Sequence, residues 1–509
     1  MNSQNHSPLT HTWKAQICQL AAHNPRLAQQ LWQNRQAYFA RFVHFYRQLG
    51  DLPRKVRRKF LKRLATTLAG AALLLALGQP LQVRAATITV DGVTCTLAKA
   101  ITAANTDTAT GGCPAGSGPD VIDLQTDVHL FVALPQITSE ITLEGNGHMI
   151  NRDNNLREFR ILYVQASGDL TLNNAMITGG FAYSGGGITN GGILSVNNSI
   201  ITANSAEGQG GGIRNFGTLT INNSTLSGNT AGLTGGAIIN HVGTVTVNNS
   251  TIADNSGGNS GGGISNVATL IINNSTLSGN SSSIFGGGIF IGNGSVTLNN
   301  STLTGNSSQF GGGLYRNTFV PFANLNQSLI SGNSASGSGE EVFGAANANN
   351  YNVVGYGGSA RSVGFSPGPH DIIPPGSLDT VLDPTLADNG GPTLTHALIS
   401  GSVAIDTAPD AACLAPPMNG IDQRGYARNL NGDGVRSHNE CDTGAFEFAP
   451  SAPPTPAPRP TRTPTPALLV QGSALFPPSQ ESAPYSFFNW FAVICLALGN
   501  LLLLKKRRT

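Results

Sequence analysis

Acidic residues are the first candidates for chemistry in this chain. Polysaccharide hydrolysis or lysis needs paired carboxylates, or carboxylates that hold calcium beside a basic residue. Between residues 181 and 336 the charged residues are Glu207, Arg214, Asp254 and Arg316, with His241 as a further group that titrates near neutral pH. His241 and Asp254 are expected to lie near each other. Neither has a second carboxylate nearby in the pattern, which argues against a two-carboxylate site there.

Acidic residues also flank this middle region. Asp120, Asp123 and Asp127 precede it, and Glu340 and Glu341 follow it. They are the candidates for a catalytic site at either end. The alternative is that these charges keep the ends of an elongated fold soluble.

A possible calcium loop lies further along the chain. NLNGDGVRSHNE at 429–440 matches the pattern D-x-[DN]-x-[DN]-G-x5-E, except that Asn replaces the first Asp. The predicted ligands are Asn429, Asn431, Asp433 and Glu440, because oxygen ligands at this spacing suit Ca²⁺. The alternative is a polar loop that ends at Cys441. No other cofactor is predicted.

A repeated phrase of about 25 residues positions these groups. It reads GGGIRNFGTLTINNSTLSGN at 210–229, and the Asn pairs that mark it begin at 173, 197, 222, 248, 273 and 299, with Asn-Gln at 326. Inside the phrase Leu219 and Ile221 alternate with threonines, which indicates strands. The period and the strand pattern predict an all-β fold, a right-handed parallel β-helix solenoid with three short strands per coil.

Stacked copies of the phrase predict ladders of like residues. Four aliphatic ladders should line the interior: Leu194, Leu219, Val245, Leu270 and Val296; Val196, Ile221, Val247, Ile272 and Leu298; Ile201, Leu226, Ile252, Leu277, Leu303 and Ile330; and Ile188, Ile213, Ile238, Ile264, Ile289 and Leu314. Two Asn series should hydrogen-bond along the stack, at positions 198, 223, 249, 274 and 300 and at positions 204, 229, 255, 280, 306 and 333. The Gly runs should allow positive φ at the corners.

Four cysteines lie in the part of the chain expected to be exported: Cys95, Cys113, Cys413 and Cys441. An even number in an oxidising compartment predicts disulfides. Three pairings are possible. The local pairing, with the first two and the last two joined, is favoured because each bond closes a short loop. Metal binding is the alternative, but no CxxC motif or partnering His accompanies these cysteines.

The N-terminal end predicts export. RKVRRKFLKR at 54–63 precedes the apolar stretch LATTLAGAALLLALG at 64–78 and a small-residue pattern that ends at Ala85. Residues 1–85 are therefore predicted to be an extended signal peptide with a signal helix. Residues 86–125 are predicted to form an N-terminal cap, and residues 126–375 the β-helix repeats.

The C-terminal end predicts a membrane anchor. Residues 449–486 form a Pro/Thr-rich stalk, residues 487–504 (FFNWFAVICLALGNLLLL) a transmembrane helix, and residues 505–509 a basic cytoplasmic tail. We expect a single-pass protein at the cell surface, with its body outside and its C-terminus cytoplasmic. Residues 86–504 contain 12 basic and 26 acidic residues, a net charge of −14. Nucleic acid is therefore not expected as a partner.

Three stretches resemble known bacterial surface families. VTCTLAKAITAANTDTATGGC at 93–113 is similar to the CSLREA-type segment that opens many secreted β-helix proteins. The GGGI…NNST…SGN repeats resemble polymorphic outer-membrane protein repeats and other pectin-lyase-like β-helices. DNGGPTLTHALISGSVAIDTA with DQRGYARN and CDTGAFE, over 388–447, resembles the choice-of-anchor Q domain, predicted here over 376–448. The resemblance implies a bacterial cell-surface protein whose variable anchor follows the β-helix.

Function follows as an expectation from these features. The chain is expected to be a surface-display protein without catalysis, an adhesin or a protein that binds carbohydrate or matrix on a host or neighbouring cell. Many repeated polar groups along a rod suit weak multivalent binding. The alternatives are a polysaccharide lyase or glycoside hydrolase with a site near a rod end, and a passive structural surface protein.

Overall fold

The computed structural model describes residues 86–449, apart from 154–157, 318–322, 349 and 429–440, together with residues 53 and 55. The region from Gln82 to Pro464 is one compact unit. Within the described residues no helix is long and apolar enough to cross a membrane. The apolar stretch of the predicted signal peptide, the stalk, the transmembrane helix and the basic tail lie outside the described residues and stay predictions.

The described strands form a parallel β-solenoid with four sheets. A full coil visits sheets 1, 2, 3 and 4 in turn, so the prediction of three strands per coil was wrong. The extra strand is the one in sheet 3. In the central coils it is SAEGQ at Ser205–Gln209 or only two residues of Ser, Ala, Gly or Thr, which is too short or too poor in β-branched residues to show an alternating pattern.

The bounds of the strands follow the coil. Sheet 1 consists of Thr87–Val90, Asp120–Leu124, Glu140–Glu144, Asp169–Asn173, Ile193–Asn197, Thr218–Asn222, Thr244–Asn248, Thr269–Asn273, Ser295–Asn299, Ala323–Asn326 and Ala346–Asn347. Sheet 2 consists of Val128–Leu130, Met149–Arg152, Met176–Thr178, Ile200–Thr202, Thr225–Ser227, Thr251–Ala253, Thr276–Ser278, Thr302–Thr304, Leu329–Ile330 and Val353–Val354.

The other two sheets are shorter. Sheet 3 consists of Phe181–Ser184, Ser205–Gln209, Thr230–Ala231, Ser256–Gly257, Ser281–Ser282, Ser307–Phe310 and Ser334–Ser338. Sheet 4 consists of Leu162–Val164, Ile188–Asn190, Ile213–Asn215, Ile238–Asn240, Ile264–Asn266, Ile289–Ile291, Leu314–Arg316 and Val342–Phe343.

All four predicted aliphatic ladders line the interior in the predicted register. Every residue of these ladders is fully buried. Alternation fixes this result, because a one-residue slip of any strand would turn its aliphatic side chains to solvent. Burying each of these side chains stabilises the fold by roughly 1.5–3 kcal/mol.

The N-terminal end of the solenoid is covered by helix α1 (Leu97–Thr106), whose apolar side packs on the core through Leu97, Ala100 and Ile101. A disulfide joins Cys95, just before the helix, to Cys113 after it. The strand Thr87–Val90 pairs with Asp120–Leu124. The predicted cap segment therefore contributes the first two strands of sheet 1.

Three ladders of Asn side chains run along the described solenoid. The shortest lies at the end of sheet 4, where each amide nitrogen donates to the amide oxygen of the next coil: Asn190, Asn215, Asn240 and Asn266. The inner ladder lies between sheets 2 and 3, where each amide nitrogen donates to the amide oxygen of the next coil: Asn204, Asn229, Asn255, Asn280, Asn306 and Asn333. The outer ladder lies at the end of sheet 1, where each amide donates to the coil before it: Asn350, Asn326, Asn299, Asn273, Asn248, Asn222, Asn197 and Asn173.

The inner ladder confirms the predicted series at 204–333, whereas the outer ladder corrects the predicted series at 198, 223, 249, 274 and 300. In each Asn-Asn pair the first residue ends a strand and points outward, so its amide reaches the neighbouring coil. The second residue has a left-handed φ between 43 and 49° at positions 198, 223, 249, 274 and 300. It turns the corner into sheet 2, a role that Asn tolerates better than most residues.

The glycine runs form the turn between sheets 3 and 4. Gly286 begins one run with φ +64°, and a Cβ there would collide with the carbonyl oxygen of Ile289. The next glycine, Gly287, has a negative φ, but a Cβ there would meet the backbone of Ser307. Positive φ, as predicted, thus explains the first glycine of the run. Close packing between coils explains the second.

The described parts of the segment 376–448, residues 376–428 and 441–448, fold back on the outer surface of sheet 2. The segment contains a 3-10 turn (Leu378–Thr380) and helix α2 (Asp410–Leu414), and a disulfide joins Cys413 to Cys441. The buried Gln423 amide donates to Thr251 Oγ1 at 2.9 Å and accepts from Thr276 Oγ1 at 2.6 Å. Two strands of sheet 2 are therefore bridged by one side chain of this segment.

Buried charge also holds the segment in place. Arg428, fully buried, donates to Asn274 Oδ1 of the solenoid at 3.0 Å and pairs with Glu447 at 3.4 Å. Burial, then the Glu447 charge, raises the pKa of Asp442 well above its usual value. His396 Nε2 lies 2.9 Å from Ser278 Oγ, and burial lowers the pKa of this imidazole. The segment thus docks through specific polar contacts.

Candidate binding face

The predicted catalytic carboxylates at the N-terminal end do not form a pair. Asp120 is buried on the inner side of its strand, and desolvation raises its pKa. Asp123 lies on the outer side of the same strand and accepts hydrogen bonds from Gln125 and Asn146, both at 2.7 Å. Asp127 accepts from the backbone N–H of Met149 at 2.9 Å, which lowers the pKa of that carboxyl.

Glu340 and Glu341, at the C-terminal end, also point in opposite directions. Glu340 is half-buried and pairs with Arg361 at 3.2 Å. Glu341 is fully buried and ends the inner Asn ladder, since Asn333 Nδ2 donates to it at 2.6 Å and the Gly332 N–H at 2.8 Å. Burial raises the pKa of Glu341 to about 8. This carboxyl has a structural environment and does not face solvent.

His241 and Asp254 lie far apart around the coil, so the expectation that they are neighbours was wrong. His241 follows a strand of sheet 4, whereas Asp254 follows a strand of sheet 2. The predicted calcium ligands Asn429, Asn431, Asp433 and Glu440 lie outside the described residues, and the calcium site stays a prediction. In the part of the chain that the structure describes, no group of three or more His, Cys, Asp or Glu side chains is arranged to hold a metal ion.

The outward side chains of sheet 4 form a ladder of a different composition from the rest of the rod. In register they are Tyr163, Thr189, Arg214, Ile239, Ser265, Phe290, Tyr315 and Phe343. Sheet 4 follows sheet 3 and precedes sheet 1 around the coil, so this surface lies across the solenoid from sheet 2, where the segment 376–448 docks. We call this outer ladder, with the side chains that contact it, the sheet 4 face.

Five half-buried aromatic rings occupy the C-terminal half of the sheet 4 face. Phe290, Tyr315 and Phe343 come from sheet 4, and Phe285 and Phe310 from the adjoining corner. Ring centroids lie 5.7 Å apart for Phe290 and Tyr315, 5.0 Å for Tyr315 and Phe343, and 4.6 Å for Phe285 and Tyr315. We call these five residues the aromatic cluster. Such stacked and tilted contacts stabilise aromatic pairs beyond their burial alone.

Two arginines occupy the N-terminal half of the sheet 4 face. Arg160 Nη1 donates to Thr189 Oγ1 at 2.6 Å, and its Cζ lies 5.3 Å from the centre of the Tyr163 ring. Arg214 Cζ lies 4.6 Å from the Phe216 ring. Burial lowers the pKa of Arg160, and the nearby charge of Arg214 lowers it further. We call Arg160 and Arg214 the arginine pair.

The Phe216 ring also stacks on a histidine, His241. Its centroid lies 5.1 Å from that of His241 with an interplanar angle of 5°, and His241 Nε2 lies 2.6 Å from Gln209 Oε1. Burial, then the charge of Arg214, lowers the pKa of His241. The imidazole is therefore neutral near pH 7, and positive charge on this half of the face comes from the arginine pair.

The sequence contained a signal for the sheet 4 face that the repeat analysis missed. In the six coils with a glycine run, the outward residue follows the aliphatic residue after the run, as Arg214, Phe290 and Tyr315 do. Reading that one position down the repeats gives the ladder. Its proximity to Arg160 and to the corner rings depends on the fold, because those residues lie outside the repeated position.

In comparisons with known proteins, no family model, no curated protein and no solved structure matches this chain. The fold assignment therefore rests on the structure itself, a parallel β-solenoid.

Proposed function

We propose that the protein is a cell-surface-anchored β-solenoid that binds an extended carbohydrate along the sheet 4 face without catalysis. The observation that carries the proposal is the aromatic cluster. Five contiguous aromatic rings, each partly exposed, form an apolar surface on a rod whose other outward-facing ladders are mostly Thr, Ser and Asn. Exposed aromatic patches with a polar rim mark interaction sites, and aromatic rings offer flat apolar surfaces for the C–H faces of sugars.

The spacing of the rings supports an elongated ligand. Neighbouring coils are separated by the strand spacing of about 4.8 Å, so the eight rungs of the sheet 4 ladder extend over about 34 Å. A polymer lying along the axis meets aromatic rings on successive coils, at Phe290, Tyr315 and Phe343. Several weak contacts of this kind add up to useful avidity.

The state of the carboxylates supports binding over catalysis. At the N-terminal end, Asp120 and Asp123 lie on opposite sides of one strand, and Asp123 and Asp127 accept hydrogen bonds from neighbouring groups of the protein. At the C-terminal end, Glu341 is fully buried. Surface anchoring is proposed from the sequence, with its export signal and its stalk and apolar helix at the C-terminal end.

The test uses the full-length protein in detergent with a panel of neutral and acidic polysaccharides. Two readouts are taken from each mixture, the fraction of protein bound and the appearance of new reducing ends or unsaturated sugars. The variant Tyr315→Ala removes the central ring of the aromatic cluster. The matched control is Phe131→Ala, which removes an aromatic ring that is 67% exposed and lies outside the sheet 4 face.

We expect saturable binding without new products, weakened about tenfold by Tyr315→Ala and unchanged by Phe131→Ala. New products would replace this proposal with that of a carbohydrate-active enzyme. Absence of binding to every polymer, or equal affinity in both variants, would refute a carbohydrate-binding sheet 4 face.

A further inference from the structure

The arginine pair has no counter-charge in the described structure. The arginine pair does not include Arg152, Arg316 or the arginines of the segment 376–448, which lie at other places on the protein. Within the described residues, no salt bridge joins Arg160 or Arg214 to an Asp or Glu. The acidic residues nearest to them in the chain are Glu158 and Glu207, and both are exposed. Two like charges are thus held close together on a body whose net charge is strongly negative.

Hydrogen-bond capacity is left over at the same place. Arg214 Nε is buried and has no hydrogen-bond partner. A guanidinium group offers five donors in a planar fork, and Arg160 uses one of them on Thr189. Buried donors without a partner are rare in native proteins, since each costs about 1–3 kcal/mol.

The two arginines meet across buried Thr189. Gly185 begins the glycine run of this coil, and a Cβ there would collide with Thr189 Oγ1 and lie 3.1 Å from Arg214 Cβ. The glycine therefore lets Thr189 and Arg214 pack closely against this turn. An aromatic ring lies within cation–π distance of each guanidinium group, Tyr163 beside Arg160 and Phe216 beside Arg214.

We infer that the arginine pair is a subsite for an anionic group, a carboxylate or a sulfate ester, of an acidic polysaccharide. Planar guanidinium groups bind such oxyanions through paired, charge-assisted hydrogen bonds. The inference rests on the proposed function, because the same ladder continues from Arg214 through Ile239 and Ser265 to Phe290 of the aromatic cluster. Three coil steps separate the two parts, about 14 Å. One chain then places a charged unit on the arginine pair and later sugar rings on the aromatic cluster.

The experiment measures the affinity of the full-length protein for two matched pairs of polymers. Polygalacturonate is compared with its methyl ester, which has the same backbone without the carboxylate charge. Dextran sulfate is compared with dextran. Arg214→Gln is compared with Arg361→Gln, which also removes one positive charge but lies beside Glu340, at the opposite end of the sheet 4 ladder from the arginine pair. Far-UV circular dichroism confirms that each variant is folded, and Arg214→Lys restores the charge without the fork.

We expect the native protein to bind an acidic polymer at least tenfold more tightly than its neutral counterpart, with affinity that falls as salt is raised. Arg214→Gln should lose most of this preference, Arg214→Lys should retain part of it, and Arg361→Gln should keep it. A preference confined to polygalacturonate identifies a carboxylate, one confined to dextran sulfate identifies a sulfate, and a preference in both pairs supports the shared oxyanion.

Two results would overturn the inference. Equal binding of charged and neutral polymers would remove the anionic subsite and leave the proposed function standing. An acidic preference that Arg214→Gln leaves intact would move the charge recognition to another place. If no polymer binds at all, the proposed function fails together with the subsite.

Discussion

At the residue scale, two glutamates show how position decides the behaviour of one side-chain type. Glu144 lies at the N-terminal end of the outer Asn ladder and accepts a hydrogen bond from Asn173 Nδ2 at 2.6 Å, partly exposed to water. Glu341 ends the inner ladder at the opposite end of the rod and is enclosed. Both of these ladders of donating amides therefore finish on a carboxyl acceptor. Burial raises the pKa of Glu341, because desolvation penalises its charged form.

Glu341 should make stability depend on pH. Its pKa is about 8 in the folded protein against 4.5 for the free side chain. Its contribution to stability is complete below pH 4.5 and is lost as the pH rises through about 8, because the unfolded chain releases the proton first. The loss is at most about 5 kcal/mol at 1.36 kcal/mol per pKa unit. Denaturant unfolding of the native protein between pH 4.5 and 8 should show this decline.

The variant Glu341→Gln tests the assignment. The amide cannot ionise, so the decline between pH 4.5 and 8 should shrink, while the loss of one acceptor lowers stability at every pH by about 1–3 kcal/mol. Glu340→Gln is the matched control next to it and should keep the native pH profile. An unchanged profile in Glu341→Gln would show that another group titrates.

At the element scale, the turn between sheets 3 and 4 is the most restrictive part of the coil. Its backbone continues the hydrogen bonding from coil to coil, as in the bond from the Gly287 N–H to the Gly311 carbonyl at 3.2 Å. Neighbouring turns are therefore stacked as closely as strands. The glycine run is a packing requirement of the stack as well as a conformational one, which explains its recurrence in six coils.

Two glycines with the same φ separate these contributions. Gly286 and Gly357 both have φ +64°, but a Cβ on Gly286 would collide with the Ile289 carbonyl, whereas nothing lies within 4 Å of a Cβ on Gly357. We expect Gly357→Ala to cost about 1–2 kcal/mol for the backbone conformation alone. Gly286→Ala should cost more than about 3 kcal/mol. Equal unfolding free energies for the two variants would contradict the packing argument.

At the scale of the whole molecule, the segment 376–448 and the solenoid act as one compact unit. Gln423 and Arg428 reach residues about 150 positions earlier in the chain, at Thr276 and Asn274. The described hydrogen bonds of the segment to the solenoid lie on the sheet 2 side, and none of them reaches the sheet 4 ladder. A predicted anchor that follows residue 448 would thus be joined to the rod through a long buried contact and not only through the last coil.

Gln423→Ala should loosen this docking. It removes the bridge between Thr251 and Thr276 and leaves the buried Thr276 hydroxyl without its acceptor, whereas the Thr251 hydroxyl keeps its hydrogen bond to the Leu394 carbonyl. We expect a loss of about 1–3 kcal/mol. Hydrogen exchange of backbone amides in 376–428 should become faster, while amides of sheet 1 stay protected. Gln309→Ala, at an exposed position of sheet 3, is the control. Equal protection in both variants would show that Gln423 does not hold the segment.

The sequence by itself determined what repeats. Alternation at Leu219 and Ile221 and a period near 25 residues fixed the parallel solenoid and its four aliphatic ladders, because each coil meets the same neighbours above and below. Proximity in the chain also favoured the disulfides Cys95–Cys113 and Cys413–Cys441 over the other pairings. Sheet 3 escaped prediction because its strands in the central coils are too short or too poor in β-branched residues to show a period.

Only the tertiary structure decided what does not repeat. Arg160 lies near Arg214, and the corner rings Phe285 and Phe310 lie beside Tyr315. Gln423 packs against sheet 2. No local sequence pattern encodes these contacts. The tertiary structure also showed that the Asp120 and Asp123 side chains point to opposite sides of their strand, so they do not form a catalytic pair. Local periodicity specifies which side of a strand is buried. The choice of partner across the surface depends on how the completed coils stack and on where the C-terminal segment finds complementary donors and acceptors.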